Sequence, residues 1–368
     1  MIDDGVETPL ETHVGTHIET PVETKRSAPA TLHDVAREAG VSLATASRSL
    51  NGSTRKVNEE YRRRVLDAAA RLDYSPNLSA QAVARGTTTT VALLVGDIAD
   101  PYFSQIAAGV VREADRERLI VMMVATERDP ERELTLVRNL RGQRPRVMIL
   151  AASRHEGDVH EQALASELRA YESNGGRVAF VSTTDLPFRT VRLDNRAGAD
   201  ALAQTLTGLG YRRFAAITGV EGLRTGDDRL AGFRDGLAGS GTGARLGRVE
   251  RTAFTRDGGY AGMRRLIEQG SDGIELVFAA NDVMAVGAMS AIRDAGLTPG
   301  ADVAVAGFDD IPTVRDVIPA LTTVRIPLEE VGRRALRIAI GDTTVDDDEP
   351  VHTEVVLRES TPPRPPRP

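Results

Sequence analysis

Residues 42–51 combine one arginine with small apolar and hydroxyl side chains in a stretch that fits a single short helix. Arg48 carries a planar fork of donors that matches guanine O6 and N7, whereas Leu43 and Ala44 offer apolar contact, for example to a thymine methyl. Polar groups nearby suit phosphate oxygens, which fix the register of a protein on DNA without reading its sequence. The chemistry indicated is recognition of double-stranded DNA, with phosphate contacts assigned to Thr31, His33, Ser42, Thr45, Ser47 and Asn51.

Two short helices joined by a tight turn must position these side chains. Gly40 ends the first helix, because a residue without Cβ takes a positive φ at little steric cost. Ser42 is a suitable N-cap for a second helix from Leu43 to Leu50, and the turn-forming pair Asn51-Gly52 follows. In such a pair the second helix lies in the major groove. The first helix is predicted by apolar residues at helical spacing, namely Leu32, Val35, Ala36 and Ala39.

A third helix, from Asn58 to Leu72, completes a predicted all-α headpiece that spans residues 31–76. It carries three consecutive arginines, Arg62 to Arg64. A three-helix bundle with a merely solvated polar face would show the same pattern, so both interpretations remain open at this point. The predicted buried face of the third helix consists of Val65, Leu66, Ala69 and Leu72.

The next segment, residues 77–89, favours the DNA-binding interpretation. Residues 78–84 have helical composition but are too few to form a stable helix alone in water. Such a segment is a candidate for folding only on DNA, and Asn77 at its start is assigned as a further DNA contact.

Residues 31–52, followed by YSPNLSAQAVARG at 74–86, resemble the headpiece and hinge helix of the LacI (lactose repressor) family of bacterial transcription regulators. In that family the two hinge helices of a dimer each insert a leucine into the minor groove and kink the operator. Val83 occupies the matching position. Because valine is a smaller wedge, Val83 is interpreted either as a minor-groove residue or as an ordinary dimer-packing residue.

The distribution of charge agrees with this resemblance. The chain has 368 residues and a formal net charge of −7, which alone argues against nucleic acid. Residues 31–86, however, hold nine Lys and Arg against six Asp and Glu, a net of +3, whereas residues 1–30 hold two against six. A basic headpiece on an acidic chain is the electrostatic pattern that DNA binding requires.

The composition also restricts the cellular compartment of the protein and the cofactors that it can bind. No cysteine is present, so disulfides and thiolate metal sites are excluded. The sequence shows neither a run of about 18 apolar residues nor a basic N-terminal signal, which predicts a cytoplasmic protein associated with the nucleoid. Residues 1–30, which repeat Glu-Thr, and the proline-rich residues 361–368 are predicted to be disordered. No metal and no cofactor are predicted.

From residue 90 onward, near-continuous apolar strands alternate with helical segments. This pattern predicts an α/β fold in which residues 90–360 form two doubly wound parallel-sheet lobes. A ligand is expected in the cleft between the lobes, outside the carboxyl ends of the strands. The predicted strands are 91–97, 119–126, 147–153, 177–183, 214–219, 249–253, 275–280 and 303–308, and the predicted helices are 103–118, 131–142, 158–173, 197–209, 228–238, 258–269 and 282–295.

The core resembles the same family, whose effector domain is similar to periplasmic sugar receptors of type I. The resemblance implies that the chain recrosses between lobes at its last motif, so the C-terminal lobe should include 192–322 and the N-terminal lobe should regain 325–341. Each motif is weak alone, but their order and spacing are specific. They are DPYF at 100–103, RLAGF at 229–233, AND at 280–282, GFDD at 307–310 and PALTTV at 319–324.

Five residues are the principal candidates for holding an effector. Asn281 and Asp309 follow apolar strands, where an amide and a carboxylate can bond ligand hydroxyls. Arg229 offers several donors to an oxygen-rich ligand. Tyr102 and Phe103 can stack on a ring.

Other residues near the predicted cleft leave alternatives open. Asp194 is interpreted either as a ligand group or as a hinge residue that makes hydrogen bonds. Asp282 is expected to be a helix N-cap, and Phe233 and Phe308 are expected in the core. Arg224 is assigned either to the cleft or to a solvated loop.

An enzymatic function is not predicted, because no Ser-His-Asp or paired-carboxylate arrangement stands out. The glycine-rich stretch 239–247 follows a helix, whereas a dinucleotide site needs it after a strand. The sequence instead predicts a homodimeric repressor of pseudo-palindromic operator DNA, controlled by a sugar or sugar derivative. The alternatives are a nucleoside or phosphorylated metabolite as effector, or a stand-alone receptor, which the headpiece disfavours. The C-terminus lacks the leucine heptads that would join dimers into tetramers.

Overall fold

The structure is a computed structural model that describes residues 30–51, 57–75, 88–270, 273–342 and 349–365. The chain divides into two compact units, Met1–Asn77 and Leu78–Pro368. The predictions made for residues 1–29, for the hinge helix at 78–84 and for Asn77 and Val83 lie outside the described residues.

The described part of the first unit contains the three predicted helices, α1 Leu32–Ala39, α2 Leu43–Asn51 and α3 Glu59–Arg71. Gly40 ends α1 in the left-handed region at φ 62°, as predicted. Ser42 Oγ accepts a hydrogen bond from Thr45 N at 3.1 Å, which is the expected N-cap contact of α2. The three helices therefore form as the sequence indicates.

The headpiece core is small and rich in alanine. One correction concerns Leu66, which was expected in this core but is 45% exposed. Val65, Ala68 and Ala69 form the inward stripe of α3, and a residue one position after Val65 is rotated by about 100° away from that stripe. The buried residues are Val35, Ala36, Ala39, Ala46, Val65, Ala68 and Ala69.

The first lobe of the second unit is a five-stranded parallel sheet in the order β2-β1-β3-β4-β5. Its strand β3 is buried along its whole length and β1 along all but its first residue, because helices cover both faces of the sheet. The elements are β1 Thr90–Val95, α4 Pro101–Arg116, β2 Ile120–Ala125, α5 Pro130–Gln143, β3 Val147–Ala151, α6 Glu161–Ser173, β4 Arg177–Val181 and β5 Arg189–Val191.

The second lobe is a four-stranded parallel sheet in the order β7-β6-β8-β9. Two doubly wound parallel lobes confirm the predicted fold class. Helix α8 begins four residues earlier than expected, which places Thr225 in its first turn. The elements are α7 Asn195–Gly208, β6 Arg213–Thr218, α8 Arg224–Gly239, β7 Arg245–Arg251, α9 Arg256–Glu268, β8 Leu276–Ala279, α10 Asp282–Asp294, β9 Ala304–Ala306 and a 3₁₀ turn at Pro312–Arg315.

The chain then returns to the first lobe through β10 Thr323–Arg325, which pairs with β11 Glu354–Val356, and through α11 Leu328–Ile340. Helix α11 packs directly on α4, and glycines let the two backbones touch. A Cβ atom on Gly109 would lie 1.9 Å from the carbonyl oxygen of Glu329, and one on Gly332 would lie 2.0 Å from that of Ile106. The recrossing that the resemblance implied is present.

The C-terminal segment differs from its prediction. Residues 361–365 are irregular but packed: Tyr211 Oη donates to the Pro362 carbonyl at 2.7 Å, and Arg364 N donates to the Leu209 carbonyl at 2.8 Å. Thr361 is buried. Proline prevents a helix because it lacks an N–H, yet its carbonyl still accepts hydrogen bonds, so a proline-rich segment can dock without regular structure.

Candidate functional site

The exposed face of α2 carries the side chains that were predicted to read bases. Leu43 is 39% exposed and lies with Ala44 and Arg48 on the solvent side, whereas Ala46 is fully buried against the other helices. Arg48 Nε donates to the carbonyl of Ala44 at 3.0 Å, which aligns the side chain along its own helix. An exposed leucine beside an exposed arginine matches a surface that contacts both a methyl group and a base edge.

Five of the predicted phosphate contacts, Thr31, His33, Ser42, Thr45 and Ser47, are exposed or partly exposed, and three of them also have structural roles. Thr31 caps α1, and its hydroxyl donates to Asp34 Oδ2 at 2.6 Å. These hydrogen bonds from Thr31 lower the pKa of the Asp34 carboxyl. Ser42 and Thr45 share a hydroxyl contact of 2.8 Å at the start of α2. His33 is exposed, Ser47 is half-buried, and Asn51 is the last residue of α2.

A cleft in the second unit lies between the two lobes, at the carboxyl ends of their strands. Its first-lobe wall is formed by residues that follow β1, β2, β3 and β4, and its second-lobe wall by residues of α8 and those that follow β8 and β9. The cavity volume is about 60 Å³. A single water needs about 10–15 Å³ on this measure, so the space holds only a few waters and the lobes are close together.

Arg229 is the central side chain of the second-lobe wall, and it is only 1% exposed. Its Nε donates to Asn195 Oδ1 at 2.9 Å and its Nη1 donates to the Ala280 carbonyl at 2.8 Å. The guanidinium lies 4.0 Å from the centroid of the Phe308 ring, and Phe308 is fully buried in the apolar core, as expected. Arg229 is therefore fixed by protein contacts on several sides.

Asp309 completes this arrangement with a strained backbone. Its φ of 123° is rarely adopted by a residue with a side chain, and such strain is often found at ligand sites. Asp309 Oδ1 lies 2.8 Å from Arg229 Nη2, but no donor is aligned with this buried oxygen for a hydrogen bond. Burial raises the pKa of the Asp309 carboxyl, and Arg229 opposes that rise. Because the guanidinium stays protonated and lies 2.8 Å away, it favours the charged form of Asp309, and the two form an ion pair.

The first-lobe wall is built around Asp100, which caps α4 by accepting from Tyr102 N at 3.0 Å. Its other oxygen accepts from Arg128 Nη2 at 3.1 Å. Tyr102 and Phe103 both line the cleft, with their rings edge to face at 5.0 Å. Burial raises the pKa of the Tyr102 phenol well above its ordinary value, so Tyr102 is a neutral donor in this cleft.

Asn281 takes the N-cap role that the sequence assigned to Asp282. Asn281 caps α10, with Oδ1 accepting from Met284 N at 2.9 Å, and it still lines the cleft. The expected N-cap, Asp282, is instead the first residue of α10 and fully buried. It accepts from Thr323 Oγ1 at 2.5 Å and from Ile311 N at 2.9 Å. Burial raises the pKa of Asp282 to about 7. Asp282 thus joins α10 to the recrossing strand and does not cap the helix.

Asp194 is not among the residues that line the cleft, whereas its neighbours Leu193 and Asn195 are. Its backbone N donates to the Val351 carbonyl at 3.3 Å, beside the bridge between Leu193 and Val351. The geometry therefore favours the hinge interpretation over the ligand interpretation. Arg224 is not a solvated loop residue: it pairs with Asp185 of the first lobe at 2.6 Å.

Sequence reasoning missed several residues that the structure brings into the cleft. Arg128 follows β2, Ser153 follows β3, and Thr225 and Asn195 lie in the first turns of α8 and α7. The signal that could have found Arg128 and Ser153 is their position just after predicted strands, because the carboxyl ends of parallel strands share one edge. Among the described residues, no group of three or more His, Asp or Glu side chains could hold a metal ion.

The headpiece and the cleft together define a class: a helix-turn-helix DNA-binding unit joined to a two-lobed small-molecule-binding core. Comparison with known proteins agrees. Residues 31–77 match the family described as bacterial regulatory proteins, lacI family, and residues 203–361 match a periplasmic binding protein-like domain. The HTH-type transcriptional regulator CelR of Thermobifida fusca is 34% identical over 345 residues, which cover 91% of this chain and 99% of CelR. The chain belongs to the LacI family.

Solved structures show the same similarity. The lac repressor dimer bound to operator and the anti-inducer ONPF superimposes with a TM-score of 0.76 at 26% identity, covering 91% of this chain and 100% of that chain. A CelR–cellobiose complex gives a TM-score of 0.63 at 30% identity, and the match covers 90% of this chain and 99% of the CelR chain. These relatives are transcriptional regulators and not enzymes, in agreement with the sequence prediction. No helix in the described part of the chain is long and apolar enough to cross a membrane.

Proposed function

We propose that this LacI-family regulator is a repressor whose operator affinity is set by a neutral, hydroxyl-rich effector, a sugar or sugar derivative. The observation that carries the proposal is the charge balance of the cleft. Arg229 lies 2.8 Å from Asp309, and Arg128 lies 3.1 Å from Asp100. Among the described residues, the charges that line the cleft are those of two arginines and two aspartates, and their formal charges therefore sum to zero.

This balance disfavours a phosphorylated effector. A phosphate brings about two negative charges, and binding it in a closed, poorly hydrated cleft requires cations that are not already paired. A sugar instead needs donors and acceptors without net charge. Tyr102, Asn281, Arg229 and Asp309 are of these types, and Phe103 adds an apolar surface. A relative, CelR, has been solved in complex with cellobiose, which supports a sugar as the effector class.

The DNA-binding half of the proposal rests on α2 and on the family. Leu43, Ala44 and Arg48 read base edges, while the phosphate contacts assigned from the sequence fix the register. A two-fold dimer would present two copies of α2 to a pseudo-palindromic operator, as the dimeric state of the lac repressor relative suggests. Asn77 and Val83 are proposed as hinge contacts to the same operator. A regulator of this kind acts in the cytoplasm, at the nucleoid.

A thermal-unfolding panel tests the effector class, since a ligand that binds the native state raises the melting temperature by mass action. The probes are cellobiose, D-galactose, D-ribose and D-glucose, with glucose 6-phosphate and adenosine as the alternatives. We expect at least one neutral sugar to stabilise the protein and glucose 6-phosphate to have no effect. The Asp309→Asn variant should lose the response, whereas the exposed Asp257→Asn should keep it. Stabilisation by glucose 6-phosphate alone, or by no sugar, would contradict the proposal.

A further inference from the structure

Two buried polar atoms of the cleft have spare hydrogen-bonding capacity in the described structure. Nη1 of Arg128 in the first lobe makes no hydrogen bond, and Oδ1 of Asp309 in the second lobe has only the ion-pair contact with Arg229 Nη2 at 2.8 Å. Leaving a buried donor or acceptor unpaired costs roughly 1–3 kcal/mol, so each such atom in a native structure calls for an explanation. A donor on one wall and an acceptor on the other indicate a ligand that carries both kinds of group.

Arg128 is held too firmly to be an ordinary surface arginine. Its Nη2 donates to Asp100 Oδ2 at 3.1 Å, and Asp97 lies 3.9 Å away on the same side. The guanidinium lies 5.8 Å from the centroid of the Phe103 ring. Arg128 and the preceding Glu127 both have φ of 58°, a left-handed conformation that non-glycine residues rarely adopt. These contacts orient the guanidinium before any ligand arrives, which reduces the entropic cost of binding.

The charges around Arg128 restrict what its free N–H group can bind. Two carboxylates, Asp97 and Asp100, lie within ion-pair distance of one guanidinium. A third anion, at Nη1, would be repelled by both carboxylates. A hydroxyl or ring oxygen accepts the hydrogen bond without that repulsion, because it adds a dipole and no net charge.

We propose that Arg128 is a specificity-determining residue of the cleft, which donates from Nη1 to a neutral oxygen of the effector while Asp309 accepts from a hydroxyl on the effector's other side. The inference rests on the proposed function and adds the first-lobe anchor of the same ligand. An effector held at both ends spans the two lobes, so its binding favours the closed cleft over an open one. Arg128 thereby selects for a ligand that is long enough and uncharged at the first-lobe end.

Calorimetric titration of three variants tests this assignment with the neutral sugar that most stabilises the wild type in the panel of cellobiose, galactose, ribose and glucose. Arg128→Met removes every donor and keeps the length of the side chain. Arg128→Lys retains a cation for Asp100. Arg132→Met is the matched control, because Arg132, in the first turn of the neighbouring helix α5, has its side chain 46% exposed and does not line the cleft.

We expect Arg128→Met to weaken sugar binding about 10- to 100-fold, since a hydrogen bond from a charged donor contributes roughly 1.5–3 kcal/mol. The sugar affinity of Arg128→Lys should lie between those of the wild type and Arg128→Met. Arg132→Met should bind the sugar as tightly as the wild type does. In a series of monodeoxy analogues of that sugar, one analogue should bind the wild type less tightly than the parent sugar does. The same analogue and the parent sugar should bind Arg128→Met with equal affinity. A thermal unfolding transition measured for each variant without ligand establishes that the variant is folded.

The failures of the two proposals are distinguishable. If no neutral sugar binds the wild type, the proposed effector class is wrong. If a sugar binds the wild type and Arg128→Met with equal affinity, the effector class stands and the role of Arg128 is overturned, with water as the partner of Nη1. Tighter binding of glucose 6-phosphate than of glucose would also overturn it, because it would place an anion beside Arg128.

Discussion

Ser153 Oγ and Thr225 Oγ1 lie 2.7 Å apart although they belong to different lobes. Around this contact the two lobes are joined by main-chain hydrogen bonds: Arg224 N donates to the Arg154 carbonyl at 3.0 Å, and Glu156 N donates to the Gly222 carbonyl at 2.8 Å. We call residues 153–156 and 222–225 the interlobe latch. The latch closes one side of the cleft and explains why the cavity is small.

Removing the side-chain contact of the latch should weaken the closed arrangement. Ser153→Ala deletes the partner of both Thr225 Oγ1 and Thr225 N, and a hydrogen bond contributes a net of about 1 kcal/mol. We expect sugar affinity to fall about fivefold and the radius of gyration from small-angle scattering to increase. Ser173→Ala is the control, since Ser173 bonds only the Arg169 carbonyl of its own helix among the described contacts. Identical sugar affinity for both variants would show that the latch does not stabilise the closed lobes.

The contact between α4 and α11 predicts a large effect from a very small substitution. In Gly109→Ala the new Cβ would lie 1.9 Å from the Glu329 carbonyl oxygen, so the two helices must separate. Such overpacking costs about 1–3 kcal/mol or more in unfolding free energy. Gly142→Ala in α5 is the matched control, because a Cβ atom at this position would meet no other atom within 4 Å. It should be neutral or stabilising by up to about 1 kcal/mol. Denaturant unfolding of both variants measures the difference, and equal stabilities would contradict the packing described.

Buried Asp282 predicts a pH dependence of stability. Its pKa is raised to about 7 from an ordinary value of 3.8, so the native state holds a proton that the unfolded state releases. The native state therefore binds more protons between about pH 4 and pH 7, and this contribution to stability is lost as the pH rises through that window. One pKa unit corresponds to about 1.4 kcal/mol, which bounds the total at about 4 kcal/mol.

Asp282→Asn should remove this part of the pH dependence, because an amide can accept from Ile311 N and donate to Thr323 Oγ1 without a charge. The free energy of unfolding, measured from pH 4 to pH 8, should fall less steeply for the variant than for the wild type. Asp257→Asn, at an exposed site, should follow the wild-type curve. Parallel curves for Asp282→Asn and the wild type would mean that Asp282 is ionised throughout this range.

Much of the cleft could be predicted from the sequence, because the carboxyl ends of parallel strands lie at the same edge of a sheet. Asn281 and Asp309 were found in this way. The protein contacts of these side chains could not be predicted: Arg229, expected to offer donors to an oxygen-rich ligand, donates to Asn195 and to the Ala280 carbonyl. Arg128 and Ser153 also follow predicted strands, but a position after a strand does not show which side chains enter the cleft, so these two were missed.

Arg48 provides a test of DNA recognition. If Arg48 pairs with a guanine, Arg48→Ala should weaken operator binding by roughly 1–3 kcal/mol and relax the preference at one base pair in each half-site. Arg63→Ala on α3 is the comparison, and it should change the salt dependence of binding without changing base preference, if it affects binding at all. Selection of binding sites from random DNA measures both. An equal loss on specific and random DNA for Arg48→Ala would contradict the assignment.

The most direct test of the account is an operator titration with and without the stabilising neutral sugar, for the wild type and for Asp309→Asn. Asp309 N donates to the Val324 carbonyl of the recrossing strand at 2.8 Å, so Asp309, the proposed effector-binding residue, is tied to the segment that joins the lobes. We expect the sugar to change wild-type operator affinity by roughly 5- to 150-fold, the usual range of coupling between two sites. Asp309→Asn should keep its sugar-free operator affinity and lose the response. A sugar that binds the wild type by calorimetry but leaves its operator affinity unchanged would contradict control of DNA binding through this cleft.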